Sequence, residues 1–336
     1  MLLVMPESRP NRQQILEIIN GFRPACVLGA AAELDVWTAL GGQSLTAGEL
    51  TERLGTNLRA TAMLLDAVAA LQLLDKRDGR YSVPPELRDW LVEGGRDTVL
   101  PMLRHAAGIL RGWSQLAWTV KGGIPAPRPS SIRGPAADRA AFIAAMHTVS
   151  GPMADDLVAQ LGPPKFRRLL DVGGASGTWT VAFLRAVPAA TAPIFDLPDA
   201  IEQAHARLAG TEFESRVTLA AGDFYVDDLP AGADFAWVSA ICHQHSRRHN
   251  RELFAKVCQA LAPGGRIAIR DIVMEPCRTQ PRDGALFAIN MLVNTDTGGT
   301  FTFDEYAEDL QAAGFQNPRL QVKHEAMNSV VTAVKG

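Results

Sequence analysis

The feature that most restricts this chain is a glycine-rich turn set between a short apolar run and a helix. Phe166-Arg-Arg-Leu-Leu-Asp-Val172 predicts a strand with a basic start. It runs into Gly173-Gly-Ala-Ser-Gly177, and Thr178 to Ala186 predicts a helix. Strand, tight turn and helix in that order open a βαβ unit. From about residue 167 onward, further short apolar runs alternate with helical stretches. The pattern predicts an α/β fold built on a Rossmann-like, doubly wound parallel sheet. Glycines at such a turn let the backbone approach a ligand closely, and they leave the first helical N–H groups pointing outward.

Two cofactor classes use a turn of this kind. A dinucleotide site needs glycines at relative positions 1, 3 and 6. Counted from Gly173, those positions hold Gly173, Ala175 and Thr178, which fails. The alternative is an acid at the strand end followed by Gly-x-Gly-x-Gly, the pattern of an S-adenosylmethionine site. Asp171-x-Gly173-x-Ala175-x-Gly177 fits it with one glycine replaced by alanine. Gly173, Gly174 and Gly177 then shape the turn. Asp171 attracts the cationic end of the amino-acid moiety and would repel a pyrophosphate. Two more strand ends add to the case. Pro193-Ile-Phe-Asp-Leu197 ends in Asp196 and Leu197, and a carboxylate there accepts hydrogen bonds from ribose hydroxyls. Arg216 to Ala220 leads into Ala221-Gly-Asp-Phe224, where Asp223 can accept from an adenine amino group while Phe224 packs on the ring.

The region from about residue 11 to 160 is helical and rich in Ala and Leu. Thr46-Ala-Gly-Glu49 predicts a capping box opening a helix to Leu54. Gly55-Thr-Asn57 is a turn, Arg59 to Leu74 a longer helix, and Asp75 to Val83 a hairpin turning at Asp78-Gly79. Helix, turn, helix and hairpin make a winged-helix arrangement. DNA reading would need a basic recognition helix, but this one carries Arg59 as its only cation and Asp66 at its middle. A structural or dimerisation role is expected instead, with helices over Ile15–Leu28 and Ala31–Leu40 adding apolar surface. The proline-rich Pro125–Pro129 is a loop.

The segments at 170–177, 195–198 and 221–224, with Leu261-Ala-Pro-Gly-Gly265 and Glu308-Asp-Leu-Gln-Ala-Ala-Gly-Phe315, resemble the plant-type and bacterial small-molecule O-methyltransferase family over nearly the whole chain. The resemblance implies a winged-helix dimerisation domain over residues 1–150 and an S-adenosylmethionine-binding domain over 151–336. It also implies a homodimer, a small-molecule acceptor with an aromatic or polyketide-like hydroxyl, and S-adenosylhomocysteine as product. No metal is expected. It assigns cofactor contacts to Gly173, Asp196, Asp223, Phe224 and Ser239.

A fourth strand, Asp234 to Ile241, ends in Cys242-His243-Gln244-His245. By resemblance, His243 is the base on the acceptor hydroxyl, a role suited to histidine near neutral pH. Asp271, at the end of strand five, is one acid beside it. A second acid is expected after a Gly-Gly pair, but Gly298-Gly-Thr-Phe-Thr302 supplies none, so Asp296 is the substitute candidate. A helix from about Arg248 is expected to carry His249 away. Met146, Met291 and Asn294, with Trp113, Phe142 and Phe287, are candidate walls of an apolar acceptor pocket. Gln244 and Thr300 depart from the family pattern. They leave open a protein of the same fold that uses the cofactor for hydroxylation, decarboxylation or ring chemistry. A winged-helix transcription regulator is the remaining alternative.

Bulk properties agree. The chain has 336 residues, 47% of them apolar, and 33 basic against 36 acidic residues give a formal charge of −3. That balance argues against nucleic acid as the main partner. Cys26, Cys242, Cys258 and Cys277 show no metal-ligand spacing and suit a reducing compartment. The start at Met1–Met5 lacks the basic flank of a signal peptide, and no long uncharged apolar run predicts a membrane span. A cytoplasmic location is expected.

Overall fold

Breaks in the chain set the first helices. In this computed structural model, which describes residues 9–162 and 165–336, α1 (Arg12–Asn20) starts at a capping box on Asn11 and stops at Gly21. α2 (Phe22–Glu33) follows, and Asp35 in the left-handed region (φ 58°) separates it from α3 (Val36–Leu40). The two predicted helices over 15–28 and 31–40 are thus three, because Gly21 and Asp35 interrupt them. Arg12–Glu33 as a whole has the length and composition of a membrane-crossing helix, although it holds Glu17 and Arg23 and changes helix at Gly21. Met1–Met5 lies outside the described residues.

The winged-helix order is present. β1 (Leu45–Thr46) leads into α4 (Ala47–Leu54), where Glu49 N donates to Thr46 Oγ1 at 3.2 Å and Thr46 N donates to Glu49 Oε2 at 2.6 Å. α5 (Leu58–Ala70) ends four residues before the expected Leu74, and Gln72 turns left-handed beyond it. β2 (Asp75–Arg77) and β3 (Arg80–Ser82) form the hairpin. Both turn residues, Asp78 (φ 50°) and Gly79 (φ 73°), have the positive φ of a type I′ turn. β1 adds a third strand against β3. Trp37, Leu40, Leu50, Leu65 and Val68 fill the core beneath. α6 (Arg88–Leu91), α7 (Leu100–Trp113), α8 (Leu116–Gly122) and α9 (Pro135–Leu161) follow, with the proline-rich loop between the last two.

The chain divides into two compact units. One holds the residues up to Leu110 with Pro129–Ala145; the other holds Arg111–Arg128 with Met146–Gly336. The first unit thus takes in the start of α9, and the second takes in α8 and most of the proline-rich loop.

The second unit is a seven-stranded sheet in the order β11-β12-β8-β7-β4-β5-β6. It is built from β4 (Leu169–Val172), α10 (Thr178–Ala186), β5 (Ala192–Asp196), α11 (Pro198–Leu208), β6 (Val217–Ala221), β7 (Ala233–Ser239), α12 (Arg247–Ala260) and β8 (Leu261–Asp271). β9 (Val273–Met274), α13 (Arg282–Asn294), β10 (Phe301–Thr302), α14 (Phe303–Ala312), β11 (Phe315–Val322) and β12 (Ser329–Lys335) complete it. β6, β5, β4, β7 and β8 are parallel; β12 runs antiparallel to β8, and β11 to β12. The helices cover both sheet faces because the central strands are apolar on both sides. Leu169, Phe235, Trp237 and Ala268 pack on one face with Trp179 and Phe183 of α10. Leu170, Val172, Val238 and Ile269 pack on the other with Phe254 and Leu310 of α12 and α14.

Candidate active site

The carboxyl ends of β4, β5 and β7 converge at one edge of the sheet, where open α/β sheets bind ligands. At the tip of β4 the turn is held from both sides. Gly173 N donates to Phe195 O at 2.8 Å, and Gly177 N donates to Gly174 O at 2.8 Å. A Cβ on Gly174 would stand 2.8 Å from Asp171 Cγ, so glycine is required there, and Gly177 (φ 76°) sits in the left-handed region. Ala175 shares that region (φ 46°) at the place where the cofactor pattern has glycine.

Asp171 lies behind the turn, 1% exposed. Thr180 Oγ1 donates to its Oδ2 at 2.6 Å, and Oδ1 is a buried acceptor with no partner. Burial pushes its pKa up to about 7, Thr180 opposes the rise and the Asp196 charge adds to it. Asp196, at the end of β5, accepts from Ala175 N and Leu197 N at 2.7 Å each. Those two bonds turn the carboxylate toward the glycine turn. Burial raises its pKa and the same two N–H groups oppose the rise. Asp223, half-buried beyond β6, accepts from Tyr225 N at 2.9 Å. Phe224 stands edge-on to His245, with ring centroids 5.4 Å apart.

The end of β7 supplies the histidines. His243 is buried in a short turn, and its Nδ1 is 2.8 Å from Asp271 Oδ1. His243 N also donates to Asp271 Oδ2 at 3.2 Å, so one carboxylate holds both backbone and ring. A carboxylate only accepts, so Nδ1 carries the proton and Nε2 is the free acceptor. Phe287 of α13 packs edge-on against the imidazole at 4.8 Å. His245 is a weaker candidate. Its Nδ1 is engaged by the Tyr225 hydroxyl, and burial pulls its pKa down to about 4. His249, on the first turn of α12, stands edge-on to the exposed Tyr225 ring at 5.3 Å.

The departures also have structural roles. Gln244 Nε2 donates to Ala240 O at 3.0 Å and braces the turn. Gly299 N donates to His243 O at 2.8 Å, and Thr300 is buried. Asp296 is exposed and, among the described residues, makes no hydrogen bond or ion pair, so it does not join His243 and Asp271.

On α13, Asn290 accepts from Trp113 Nε1 at 2.9 Å, and Asn294 Nδ2 donates back to Asn290 O at 2.7 Å. Asn294 Oδ1 accepts from Arg128. Phe287, Asn290, Met291 and Asn294 thus share one stripe of the helix, with Met291 buried. Met146 is half-buried on α9, and Phe142 packs on His105 within the first unit. Sequence reasoning missed Asn290, Arg128, Tyr225 and Arg270. Only Arg270 left a signal, a cation inside the apolar run Ile267 to Ile272. Among the described residues, no three His, Cys, Asp or Glu side chains group as metal ligands.

The sheet order, with its antiparallel β12 between β8 and β11, defines a class I S-adenosylmethionine-dependent methyltransferase. The chain belongs to the O-methyltransferase family: residues 105–316 match the O-methyltransferase domain and residues 16–86 the O-methyltransferase dimerisation domain. It is 31% identical over 330 residues to the 3-hydroxy-5-methyl-1-naphthoate 3-O-methyltransferase of Streptomyces sahachiroi, covering 96% of this chain and 94% of that one. It is 32% identical over 311 residues to the tetracenomycin polyketide synthesis 8-O-methyl transferase TcmO of Streptomyces glaucescens, covering 91% of each. The crystal structure of human N-acetylserotonin methyltransferase in complex with SAM superposes with a TM-score of 0.77 at 25% identity, over 99% of this chain and all of that one.

Proposed function

We propose that the protein transfers a methyl group from S-adenosylmethionine to a hydroxyl of an aromatic or polyketide-like small molecule, with His243 as the base. The observation that carries this reading is the buried His243–Asp271 pair at 2.8 Å, at the strand edge that also carries Asp171, Asp196 and Asp223. Relatives named for a naphthoate and a tetracenomycin substrate support an aromatic acceptor.

The residues fit the cofactor. Each Asp196 oxygen spends one lone pair on a backbone N–H, which leaves acceptor capacity for two vicinal hydroxyls. Asp223 and Phe224 offer an acceptor and a ring face to the base. Gly173, Gly174 and Gly177 bring the backbone close, Leu197 flanks the ribose acid, and the unpartnered Asp171 Oδ1 gives a buried negative end for an ammonium group. Bound there, the sulfonium supplies an already activated methyl group. The protein's work is then alignment and proton removal. Asp271 fixes the His243 tautomer, and Nε2 takes the acceptor's proton. Phe287, Met291, Asn294 and Met146 are the proposed acceptor wall.

Exposed Ile15, Ile18, Ile19 and Phe22 on α1 and α2 fall within or beside the dimerisation match, and they support a homodimer. Free cysteines, two of them exposed, support a reducing cytoplasm. The test is mass spectrometry of phenolic and polyketide acceptors incubated with methyl-labelled cofactor. A labelled methyl on oxygen is expected. His243→Ala is expected to lower kcat by about 10²- to 10⁴-fold while S-adenosylhomocysteine still binds. Unchanged turnover in that variant would remove His243 as the base.

A further inference from the structure

β8 carries an arginine where a central strand should be apolar. Arg270 is 2% exposed. Its Nη1 donates to Ser239 Oγ at 3.1 Å and its Nε to Asn328 Oδ1 at 2.9 Å. Nη2 lies 3.9 Å from Met153 Sδ, and the guanidinium stacks 4.6 Å from the Trp179 ring. All four partners are neutral. Among the described residues no carboxylate lies within ion-pair distance of it. Asp271 is next in the chain, but strand alternation sends it to the opposite face, where its oxygens serve His243 and Ile272 N. Burial pulls the guanidinium pKa down to about 10, so the group stays charged at neutral pH. A buried cation held by neutral groups alone is costly unless a ligand supplies the counter-charge.

Ser239 shows where that counter-charge would sit. It is the last residue of β7 and pairs with Arg270, one step past the Val238–Val172 pair that ends β4 beside the glycine turn. A guanidinium only donates, so Ser239 Oγ is the acceptor in their bond. The hydroxyl's own hydrogen has no acceptor among the described residues. A free donor backed by a cation therefore stands at the ligand edge. Asp171 lies on the same sheet face as Arg270, on β4, so that face offers one negative and one positive group. An α-amino acid carries the complementary pair.

We propose that Arg270, acting through the Ser239 hydroxyl, is the counter-charge that positions the α-carboxylate of the cofactor's amino-acid moiety. The inference rests on the cofactor reading above and assigns its carboxylate end. Adenosine recognition stays with Asp196 and Asp223, whose charges would repel a carboxylate.

Calorimetric titration tests it with two ligands that differ by the carboxylate alone: S-adenosylhomocysteine and its decarboxylated analogue, S-adenosyl-3-thiopropylamine. Arg270→Met is expected to weaken S-adenosylhomocysteine by about 10- to 100-fold, the range for a charge-assisted hydrogen bond. The analogue should change less than about threefold. Arg270→Lys should recover part of the loss. Ser239→Ala, which removes only one oxygen, should weaken S-adenosylhomocysteine selectively, and it carries the test if Arg270→Met fails to fold. Equal losses on both ligands, or no loss in Ser239→Ala, would overturn the assignment and leave the cofactor reading intact. Failure of the unaltered protein to bind either ligand would instead overturn the cofactor reading, and this inference with it.

Discussion

Asp171→Asn exposes the cost of keeping a carboxyl behind the glycine turn. In the folded chain burial holds the Asp171 pKa at about 7, against 3.8 for the ordinary group. Between those values the folded chain keeps a proton that the unfolded chain has released. The native state then binds more protons than the unfolded state, so stability falls as pH rises from about 4 to about 7 and stays low above. The gap between 3.8 and about 7 corresponds to at most about 4 kcal/mol. Asparagine keeps the shape and an oxygen for the Thr180 hydroxyl, but it never ionises. It also places an amide donor where Oδ1 has no partner, which costs about 1–3 kcal/mol. The net expectation is a variant more stable than the parent at pH 8 by about 1–3 kcal/mol and no more stable at pH 4.5. Urea unfolding of both proteins at four pH values gives the difference, which isolates this one group. A difference that does not grow between pH 4.5 and 8 would refute the reasoning. The same carboxyl predicts a proton count. An ammonium arriving beside Asp171 favours its charged form, so S-adenosylhomocysteine binding at pH 6 should release up to about one proton. Calorimetry in two buffers of different ionisation enthalpy measures it, and Asp171→Asn should release none.

Three further outcomes follow from the geometry. Asp271→Asn leaves the His243 contact in place but permits the wrong tautomer, so kcat should fall by about 10²-fold or more with S-adenosylhomocysteine affinity unchanged; steady-state kinetics and a binding titration check the split. Ala175→Gly should relieve the left-handed strain at φ 46° and raise stability by about 0.5–1 kcal/mol, read as a higher urea midpoint. Ile19→Glu, on the exposed face of α1, should shift the protein from dimer to monomer in light scattering without changing its circular dichroism.

Which parts of this structure could be read in advance follows from how local their causes are. The Thr46–Glu49 box, the Asp78-Gly79 turn and the glycine turn after β4 are each fixed within a few residues, so the residue types carry them. The acids Asp171, Asp196 and Asp223 could be placed because parallel strands put their carboxyl ends on one edge. The β11–β12 hairpin was not legible: Phe-Gln-Asn-Pro-Arg-Leu-Gln-Val has weak alternation, and its partner β12 itself pairs with β8, some sixty residues back. Gly21 and Asp35 broke two helices whose apolar periodicity continues across the breaks.

Arg270 shows a different limit. Adjacent in sequence, Arg270 and Asp271 are two opposite charges side by side within the run Ile267 to Ile272, of which only Asp271 is expected beside the histidine. The strand sends the two groups to opposite buried faces, Asp271 to hold the histidine and Arg270 to stack on Trp179 and reach Ser239. Each is charged and each lacks the other as a direct partner. Asp271 finds a donor in His243, which completes one half of the site. Arg270 finds none that is charged, and that asymmetry is what the proposed contact with a ligand carboxylate would balance.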